Sequence, residues 1–328
     1  MHNPDPRLAL VREWLTRDLR LNPERLEPAS SDASFRRYFR VFLSDRTAVV
    51  MDAPPDRENV KPFIQVAGLL RSAGIRAPEI LAQDIERGFL LLSDLGTQTY
   101  LDVLNGENAD VLFAAAIDTL IRWQLATREG ELPPYDEPLL RRELCLFPDW
   151  YVARHLQRQL GVEQRETLEI TFSLLVRSAL AQPKVYVHRD YMPRNLMVGA
   201  SAPGVLDFQD AVIGPLTYDV VSLFRDAFIS WPEDKLLDWV VRYWERARSA
   251  RLPVPDDFGA FYRDFEWMGL QRHLKVLGIF ARINYRDGKP KYLADTPRFV
   301  SYASEVAARY DELRPLLHLV EQLHADAA

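Results

Sequence analysis

The stretch at 187–195, VHRDYMPRN, follows a short β-type run and contains an H-R-D-x-x-x-x-N pattern. A second stretch at 206–210, LDFQD, closes the next β-type run. Phosphoryl transfer needs a carboxylate that orients the attacking hydroxyl, together with metal ligands that help to neutralise charge on the phosphates. These two stretches carry side chains of both kinds, so the interpretation of the chain starts from them.

Three side chains in these stretches predict a site for phosphoryl transfer from ATP. Asp190 can accept the proton of an acceptor hydroxyl, while Asn195 and Asp207 offer a neutral and an anionic oxygen to Mg²⁺. The residues at 199–203 predict a hairpin loop that sets the two metal ligands side by side. The alternative is that His188 and Asp190 only brace a turn, but the combined pattern favours the site.

Periodicity divides the chain into a strand-rich part at 1–95 and a helical part at 96–328, which predicts an α+β fold. In the first part, helices are predicted at 6–20 and 60–73 and strands at 35–43, 47–51 and 88–93. In the second part, helices are predicted at 110–126, 165–181, 257–282 and 303–325, and short β-type runs at 185–187, 195–198 and 204–208. Ser230 to Glu233 has the form of a capping box.

Composition narrows the class of protein. The chain has 328 residues, 48% hydrophobic and 27% charged, which is typical of a soluble globular protein with two domains or lobes. A formal net charge of −6 argues against a general nucleic-acid binder. The single cysteine, Cys145, and the lack of a signal core or long apolar stretch predict a cytoplasmic protein without a membrane span. We infer no obligate protein partner.

The two stretches resemble the aminoglycoside phosphotransferase-like family, relatives of the protein kinases. The segment at 211–220, AVIGPLTYDV, strengthens the resemblance, because the family follows its metal aspartate with a short G-P-x-x-x-D segment. The resemblance covers nearly the whole chain and implies a bilobal protein-kinase-like fold, with a small β-rich N-lobe and a larger helical C-lobe. It also implies that Asp219 and His188 support the catalytic loop, although Asp219 is equally well explained as a carboxylate at a helix N-terminus.

The nucleotide site departs from the family pattern on its third strand. Kinases of this superfamily carry a lysine there, whereas this chain has Met51. Arg37, Arg40 and Lys61 are the candidates for a substitute cation, and the sequence does not distinguish among them. Each of the three is explained equally well as a solvated surface charge.

The resemblance implies two further nucleotide contacts. The segment at 30–35, SSDASF, takes the place of the glycine-rich phosphate loop without containing a glycine, so that Ser31 and Ser34 are expected to bind phosphate. The family binds adenine through main-chain groups of the linker, which here runs from Ser93 to Leu95.

Three segments resemble a narrower group in the family, the kinases that phosphorylate the anomeric hydroxyl of N-acetylmuramate and N-acetylglucosamine in peptidoglycan recycling. These segments are 51–55, 146–151 and 271–292. Because sugars favour aromatic faces and hydrogen-bonding side chains, the acceptor pocket is predicted to contain Glu143, Asp149, Trp150, Tyr151 and Arg272. The excess of Lys and Arg at 271–291 favours a neutral or anionic sugar over a polycationic aminoglycoside.

Other functions stay open on the sequence. Within the enzyme class, the alternatives are an aminoglycoside kinase and a kinase of a small amino alcohol or amino acid. Outside it, Met51 and the glycine-free loop would suit a nucleotide-binding pseudokinase. The complete set of Asp190, Asn195 and Asp207 argues against that last alternative, because a protein without turnover does not need all three side chains.

Overall fold

A computed structural model describes residues 5–30 and 35–325. Its strands are β1 (Arg25–Ser30), β2 (Arg37–Phe42), β3 (Thr47–Asp52), β4 (Ile80–Asp84), β5 (Phe89–Ser93), β6 (Lys184–Val187), β7 (Leu196–Met197), β8 (Gly204–Val205) and β9 (Val212–Pro215). Its α-helices are α1 (Pro6–Glu13), α2 (Lys61–Ser72), α3 (Tyr100–Val103), α4 (Ala109–Leu125), α5 (Glu137–Leu144), α6 (Val162–Ala181), α7 (Tyr218–Phe224), α8 (Glu233–Ser249), α9 (Phe258–Asp287), α10 (Thr296–Arg309) and α11 (Arg314–Ala325).

The described residues form two compact units. The first contains the residues up to Val103 together with Arg194–Asp210, and the second contains Leu104–Pro193 and the residues from Ala211 onward. The predicted division after residue 95 assigns 194–210 to the second part, whereas the structure packs this segment with the first. None of the helices in the described ranges is both long and apolar enough to cross a bilayer.

The first unit is built on an antiparallel sheet with the strand order β1-β2-β3-β5-β4. Side chains alternate across a strand, so Val41 of β2 and Val50 of β3 both face one side of the sheet. There they pack with Phe89 of β5 and with Val11 and Trp14, which lie at and just beyond the end of α1. Burial of this apolar set fixes the register of the central strands.

The β7–β8 hairpin joins the first unit through main-chain hydrogen bonds. The Val205 N–H donates to the Arg76 carbonyl at 2.8 Å, and the Val198 N–H donates to the Gln98 carbonyl at 2.9 Å. Beyond the hairpin, the Phe208 ring packs against Phe63 of α2, with their centroids 4.6 Å apart. The hairpin therefore belongs to the sheet-containing unit, although the segments on both sides of it in the chain belong to the second unit.

The second unit is mainly helical and carries the small antiparallel ladder of β6 and β9. Its longest helix, α9, has a buried middle section. A Cβ atom at Gly278 would lie 2.3 Å from the carbonyl oxygen of Leu146, so only glycine permits this close approach. Together with the sheet of the first unit, the helical second unit confirms the predicted α+β class.

Several local predictions need correction. The helix predicted at 303–325 is interrupted after Arg309, because Pro315 lacks an N–H and its ring crowds the carbonyl four residues earlier. The capping box is also wrong: α8 begins at Glu233 with Pro232 as its N-cap, and the Ser230 hydroxyl hydrogen-bonds Tyr302 instead. The N-terminal α-helix ends at Glu13 and continues as a π-helical segment to Asp18.

Strands β1, β4 and β9 are absent from the sequence predictions. The first two are the edges of the large sheet. β1 contains Pro28, beside a break in its register with β2, and β4 alternates half-buried with exposed residues. Edge strands carry such residues because one row of their main-chain groups is unpaired within the sheet, and this weakens the apolar pattern.

An ion-pair network ties the N-terminal helix to the sheet. The Asp52 carboxylate is fully buried at the end of β3. It accepts hydrogen bonds from Arg7 Nε at 2.8 Å and from Arg37 Nε at 3.0 Å. Arg37 also pairs with Asp5, the N-cap of α1, whose side chain accepts the Arg7 N–H at 3.0 Å.

Asp52→Ala should therefore lower the free energy of unfolding by about 1.5–3 kcal/mol, as expected for the loss of charged hydrogen bonds. Urea unfolding of the variant and the wild type measures the change. The matched control is Asp45→Ala, at an exposed turn position in the same unit, which should change stability by less than about 0.5 kcal/mol. Equal stability of the two variants would contradict the anchoring role.

Candidate active site

The catalytic loop follows β6 in the second unit and is held by a buried carboxylate. Asp219, in the first turn of α7, accepts the His188 N–H at 2.6 Å and the Arg189 N–H at 3.0 Å, one with each oxygen. The paired strands β6 and β9 place Val187 opposite Val212, so that the loop after β6 lies beside the start of β9. These contacts are the ones that the predicted bracing role of Asp219 requires.

Asp219 bears a charge that is costly to bury. Its side chain is completely buried, and burial raises the pKa of its carboxyl to about 7, although the N–H donors of His188 and Arg189 oppose that rise. Arg272 also lowers the pKa of Asp219, and this gives the arginine a role beneath the loop. The state of the carboxyl therefore changes near neutral pH.

The loop itself has an unusual backbone. Arg189 has a φ of 76°, in the left-handed region that non-glycine residues rarely adopt. The Asp190 N–H then donates to His188 Nδ1 at 3.2 Å, and the Tyr191 hydroxyl donates to the Ala116 carbonyl at 2.9 Å. The Asp190 side chain, half-buried, follows directly after this turn.

The Arg189 side chain enters a buried cluster that the sequence predictions do not include. Its guanidinium pairs with Glu143 of α5, and Lys275 Nζ lies 2.9 Å from the same carboxylate. Lys275 also donates to the Tyr218 hydroxyl at 2.9 Å, and the Tyr135 hydroxyl donates to Glu143. We call these five residues the Glu143 cluster.

The two predicted metal ligands lie on the β7–β8 hairpin of the first unit. Asn195 directly precedes β7, and its carbonyl accepts the Leu206 N–H at 2.9 Å, which places Asp207 next to this closing pair. Asp207 has a φ of 60°, and its Oδ1 accepts Gln209 Nε2 at 2.9 Å. The hairpin that the loop residues predict is therefore present, and it brings Asn195 and Asp207 to one end.

The donor set suits a magnesium ion that also binds phosphate. An amide oxygen and a carboxylate oxygen are ligands that Mg²⁺ accepts, and Mg²⁺ is commonly held by one or two protein groups together with substrate phosphates. Among the described residues, no group of three or more His, Cys, Asp or Glu side chains could hold a metal by itself. Asn195 and Asp207 would thus hold the ion only when phosphate oxygens complete its shell.

The candidates for the missing strand lysine have different surroundings. Met51 is fully buried on β3. Arg37 is engaged by Asp5 and Asp52, and Arg40 binds Asp94 with Nε at 2.6 Å. Two of the three cations therefore already have carboxylate partners.

Lys61 differs from the two arginines. It is exposed at the start of α2 and makes no ion pair with the residues at 5–30 and 35–325. Of the three candidates it is thus the one whose charge is available to a nucleotide.

The linker after β5 is fixed by side chains. Arg40 Nη2 donates to the Gly96 carbonyl at 2.7 Å, and Arg76 Nη2 donates to the Leu95 carbonyl at 3.2 Å. The Ser93 N–H already donates to Glu79, with an N···O distance of 2.8 Å. The predicted phosphate-binding residues Ser31 and Ser34 lie outside the described residues.

The five residues predicted for the acceptor pocket do not share one environment. Glu143, Tyr151 and Arg272 are buried, whereas Trp150 is half-buried and Asp149 is exposed. The Tyr151 hydroxyl pairs with His324 Nε2 at 3.0 Å, and Arg272 Nη1 has no hydrogen-bond partner among the described residues. Three of the five therefore expose little surface to solvent.

The chain belongs to the phosphotransferase enzyme family, whose sequence model matches residues 25–254. This confirms the resemblance to the aminoglycoside phosphotransferase-like family, and the chain is a phosphotransferase.

Solved structures of this class share its fold. An ADP-bound aminoglycoside phosphotransferase aligns with a TM-score of 0.63 at 15% identity, covering 91% of this chain and 98% of that one. The choline kinase of Streptococcus pneumoniae aligns with a TM-score of 0.66 at 13% identity, covering 91% and 99%.

Particular relatives are much more similar in sequence. The N-acetylmuramate/N-acetylglucosamine kinase of Pseudomonas aeruginosa is 59% identical over 92% of this chain and 89% of its own length. The kinase of the same name from Neisseria meningitidis is 51% identical over 96% of each chain. The narrower resemblance noted from the sequence is thus also confirmed.

Activity should fall as the pH decreases through about 7, because protonation of Asp219 leaves it only one free acceptor oxygen for two N–H groups. Its raised pKa has the opposite effect on stability. The folded state then binds more protons than the unfolded state between about pH 4 and 7, so the contribution of Asp219 to the unfolding free energy increases on acidification. Loss of activity without loss of stability distinguishes this effect from unfolding.

The measurement is kcat against pH for the wild type and for Asp219→Asn. The variant should be at least about tenfold slower at pH 8, because its amide NH₂ faces a main-chain donor and one charged hydrogen bond is lost. Its profile should also lack the step near 7. An unchanged step in the variant would assign that titration to a different group.

Proposed function

We propose that this phosphotransferase transfers the γ-phosphate of ATP to the anomeric hydroxyl of N-acetylmuramate and N-acetylglucosamine, in the cytoplasm, as a step of peptidoglycan recycling. The observation that carries the proposal is 51–59% identity, over nearly the whole chain, to kinases named for these two sugars. The H-R-D-x-x-x-x-N stretch and Asp207 supply side chains suited to the reaction.

Asp190 is proposed to accept the proton of the attacking hydroxyl. Its position after the left-handed Arg189 fixes the direction of its side chain, and the Asp219 carboxylate holds the preceding main chain. A carboxylate with this role orients the oxygen for in-line attack more than it activates it, since phosphoryl transfer has a loose transition state. Asn195 and Asp207 would hold Mg²⁺, which neutralises charge on the phosphates when bound.

Adenine recognition is proposed to use the linker main chain. The Ser93 N–H and the Leu95 carbonyl already have partners, whereas the Leu95 N–H makes no hydrogen bond with the described residues. The Leu95 N–H is thus the linker group best suited to donate a hydrogen bond to a ligand. Exposed Lys61 is the cation proposed to act near the phosphates in place of the lysine that Met51 replaces.

The charge of the segment at 282–291 supports a neutral or anionic acceptor. The C-terminal part of α9 and the residues after it carry Arg282, Arg286, Lys289 and Lys291, against Asp287 alone. An aminoglycoside site must attract several ammonium groups and would be expected to be acidic. N-acetylmuramate instead carries a carboxylate, which an arginine can bind through two parallel hydrogen bonds.

Incubation with ATP, Mg²⁺ and one acceptor at a time tests the proposal. We expect phosphorus NMR to show a sugar 1-phosphate, split by the anomeric proton, with N-acetylmuramate and with N-acetylglucosamine. Kanamycin and choline should give no new signal. Asp190→Asn should reduce turnover by at least about 10²-fold, in line with the loss of a general base, while ATP still binds.

Phosphorylation of kanamycin or choline with both N-acetyl sugars inert would overturn the sugar assignment. Turnover of Asp190→Asn within a few-fold of the wild type would exclude Asp190 as a required base. The two results are separable, because the first concerns the acceptor and the second concerns the reaction itself.

The metal assignment predicts a graded loss. Asp207→Ala should raise the Mg²⁺ concentration needed for half-maximal rate more than Asn195→Ala does, because only Asp207 contributes a charge to the ion. Titration of activity against Mg²⁺ measures both effects. Wild-type Mg²⁺ dependence in both variants would show that these side chains are not the ligands.

A further inference from the structure

Glu143 is a buried hub with all its acceptor positions in use. Arg189 and Lys275 both pair with Oε1, the Tyr135 hydroxyl donates to Oε2, and Gln271 Nε2 lies 3.5 Å from Oε2. A carboxylate offers about four lone-pair sites, so these four donors leave none for a sugar hydroxyl. Besides its predicted place in the acceptor pocket, Glu143 thus has contacts with four donors of the protein itself.

The charges of the Glu143 cluster depend on one another. Burial would raise the pKa of Glu143, but Lys275 and Arg189 lower it to about 2, so that the carboxylate stays ionised. Burial also opposes the charge of Lys275, while Glu143 and the Tyr218 hydroxyl raise its pKa. Removing one charged partner would leave an uncompensated buried charge, which is strongly unfavourable.

The cluster acts on a residue with a strained backbone. A left-handed conformation is unfavourable for a non-glycine residue, so the φ of 76° at Arg189 requires contacts that hold it. Arg189, the residue directly before Asp190, is held at its main chain by Asp219 and at its side chain by Glu143.

We propose that Glu143 and Lys275 are positioning residues of the phosphoryl-transfer reaction. Lys275 orients the Glu143 carboxylate, Glu143 fixes the Arg189 guanidinium, and the fixed Arg189 sets the direction of Asp190. The inference rests on the proposed function only in taking Asp190 as the catalytic carboxylate. It does not depend on which acceptor is used.

A purely structural ion pair would stabilise the fold without affecting the chemical step. The geometry indicates an effect on the chemical step as well, because the chain of contacts ends on the residue next to Asp190 and not on a remote surface. A displacement of about 1 Å at a reacting group can cost on the order of 10²-fold in rate. Loss of the Glu143 anchor should therefore appear in kcat.

Glu143→Gln is the first test, because it keeps the side-chain shape and removes the charge. We expect kcat to fall by about 10²-fold, with the KM for ATP within about twofold of the wild type, since the proposed nucleotide contacts lie in the first unit. The matched control is Glu137→Gln, which removes an exposed ion pair with Arg141 from the same helix. That control should leave kcat unchanged.

Combining Glu143→Gln with Lys275→Met separates positioning from stability. The single Glu143→Gln variant leaves two buried cations and should unfold at a lower urea concentration, whereas the double variant removes one of these cations and should regain stability. Because Arg189 still lacks its carboxylate, kcat should stay low in the double variant. Recovery of kcat together with stability, or a normal kcat in folded Glu143→Gln, would overturn the proposal.

All rates in this test are taken relative to the wild type, on whichever acceptor the wild type phosphorylates. A failure of the sugar assignment therefore changes the substrate in the assay and not the ratio between variants. A drop in kcat confined to the Glu143 variants supports the positioning role even if that acceptor is not an N-acetyl sugar.

Discussion

The Asp219 carboxylate, with its two main-chain hydrogen bonds to the loop after β6, is the constraint on which the geometry of that loop depends. A buried carboxylate is unfavourable unless donors surround it, and here the donors are consecutive N–H groups of the loop itself. The same contact stabilises the carboxylate and shapes the loop. Arg189 adopts its left-handed conformation with its main chain bound to this carboxylate and its side chain bound to Glu143. Asp190 is the next residue in the chain.

In the first unit, the important electrostatic contacts are ion pairs of the arginines on β2. The arginines of β2 are held by carboxylates and serve as ties: Arg37 links the sheet to α1, and Arg40 links it to the linker at Asp94. Burial would raise the pKa of Asp94, but Arg40 lowers it, which keeps the linker carboxylate ionised and paired. The two arginines of β2 thus tie the sheet to neighbouring segments.

Patterns that depend on neighbouring residues were predictable from the sequence. The hairpin at 199–203 sets Asn195 and Asp207 at one end because both flank the same two short strands. The central strands and most helix positions were also predictable, since burial of one face produces a regular apolar period. Edge strands were missed because Pro28 and polar side chains obscure that period. The interruption before Pro315 was missed because the apolar period continues on both sides of it.

By itself, the sequence determined the α+β fold, the family, and the residues that carry the proposed chemistry, because each of these rests on local spacing or on a continuous apolar pattern. Only the tertiary structure decided the surroundings of those residues. Glu143 of α5, Lys275 of α9 and Arg189 are far apart in the chain and meet through helix packing. The left-handed backbone at Arg189 has no sequence signal, because the contacts that hold it come from Asp219 and Glu143, which are distant in the chain.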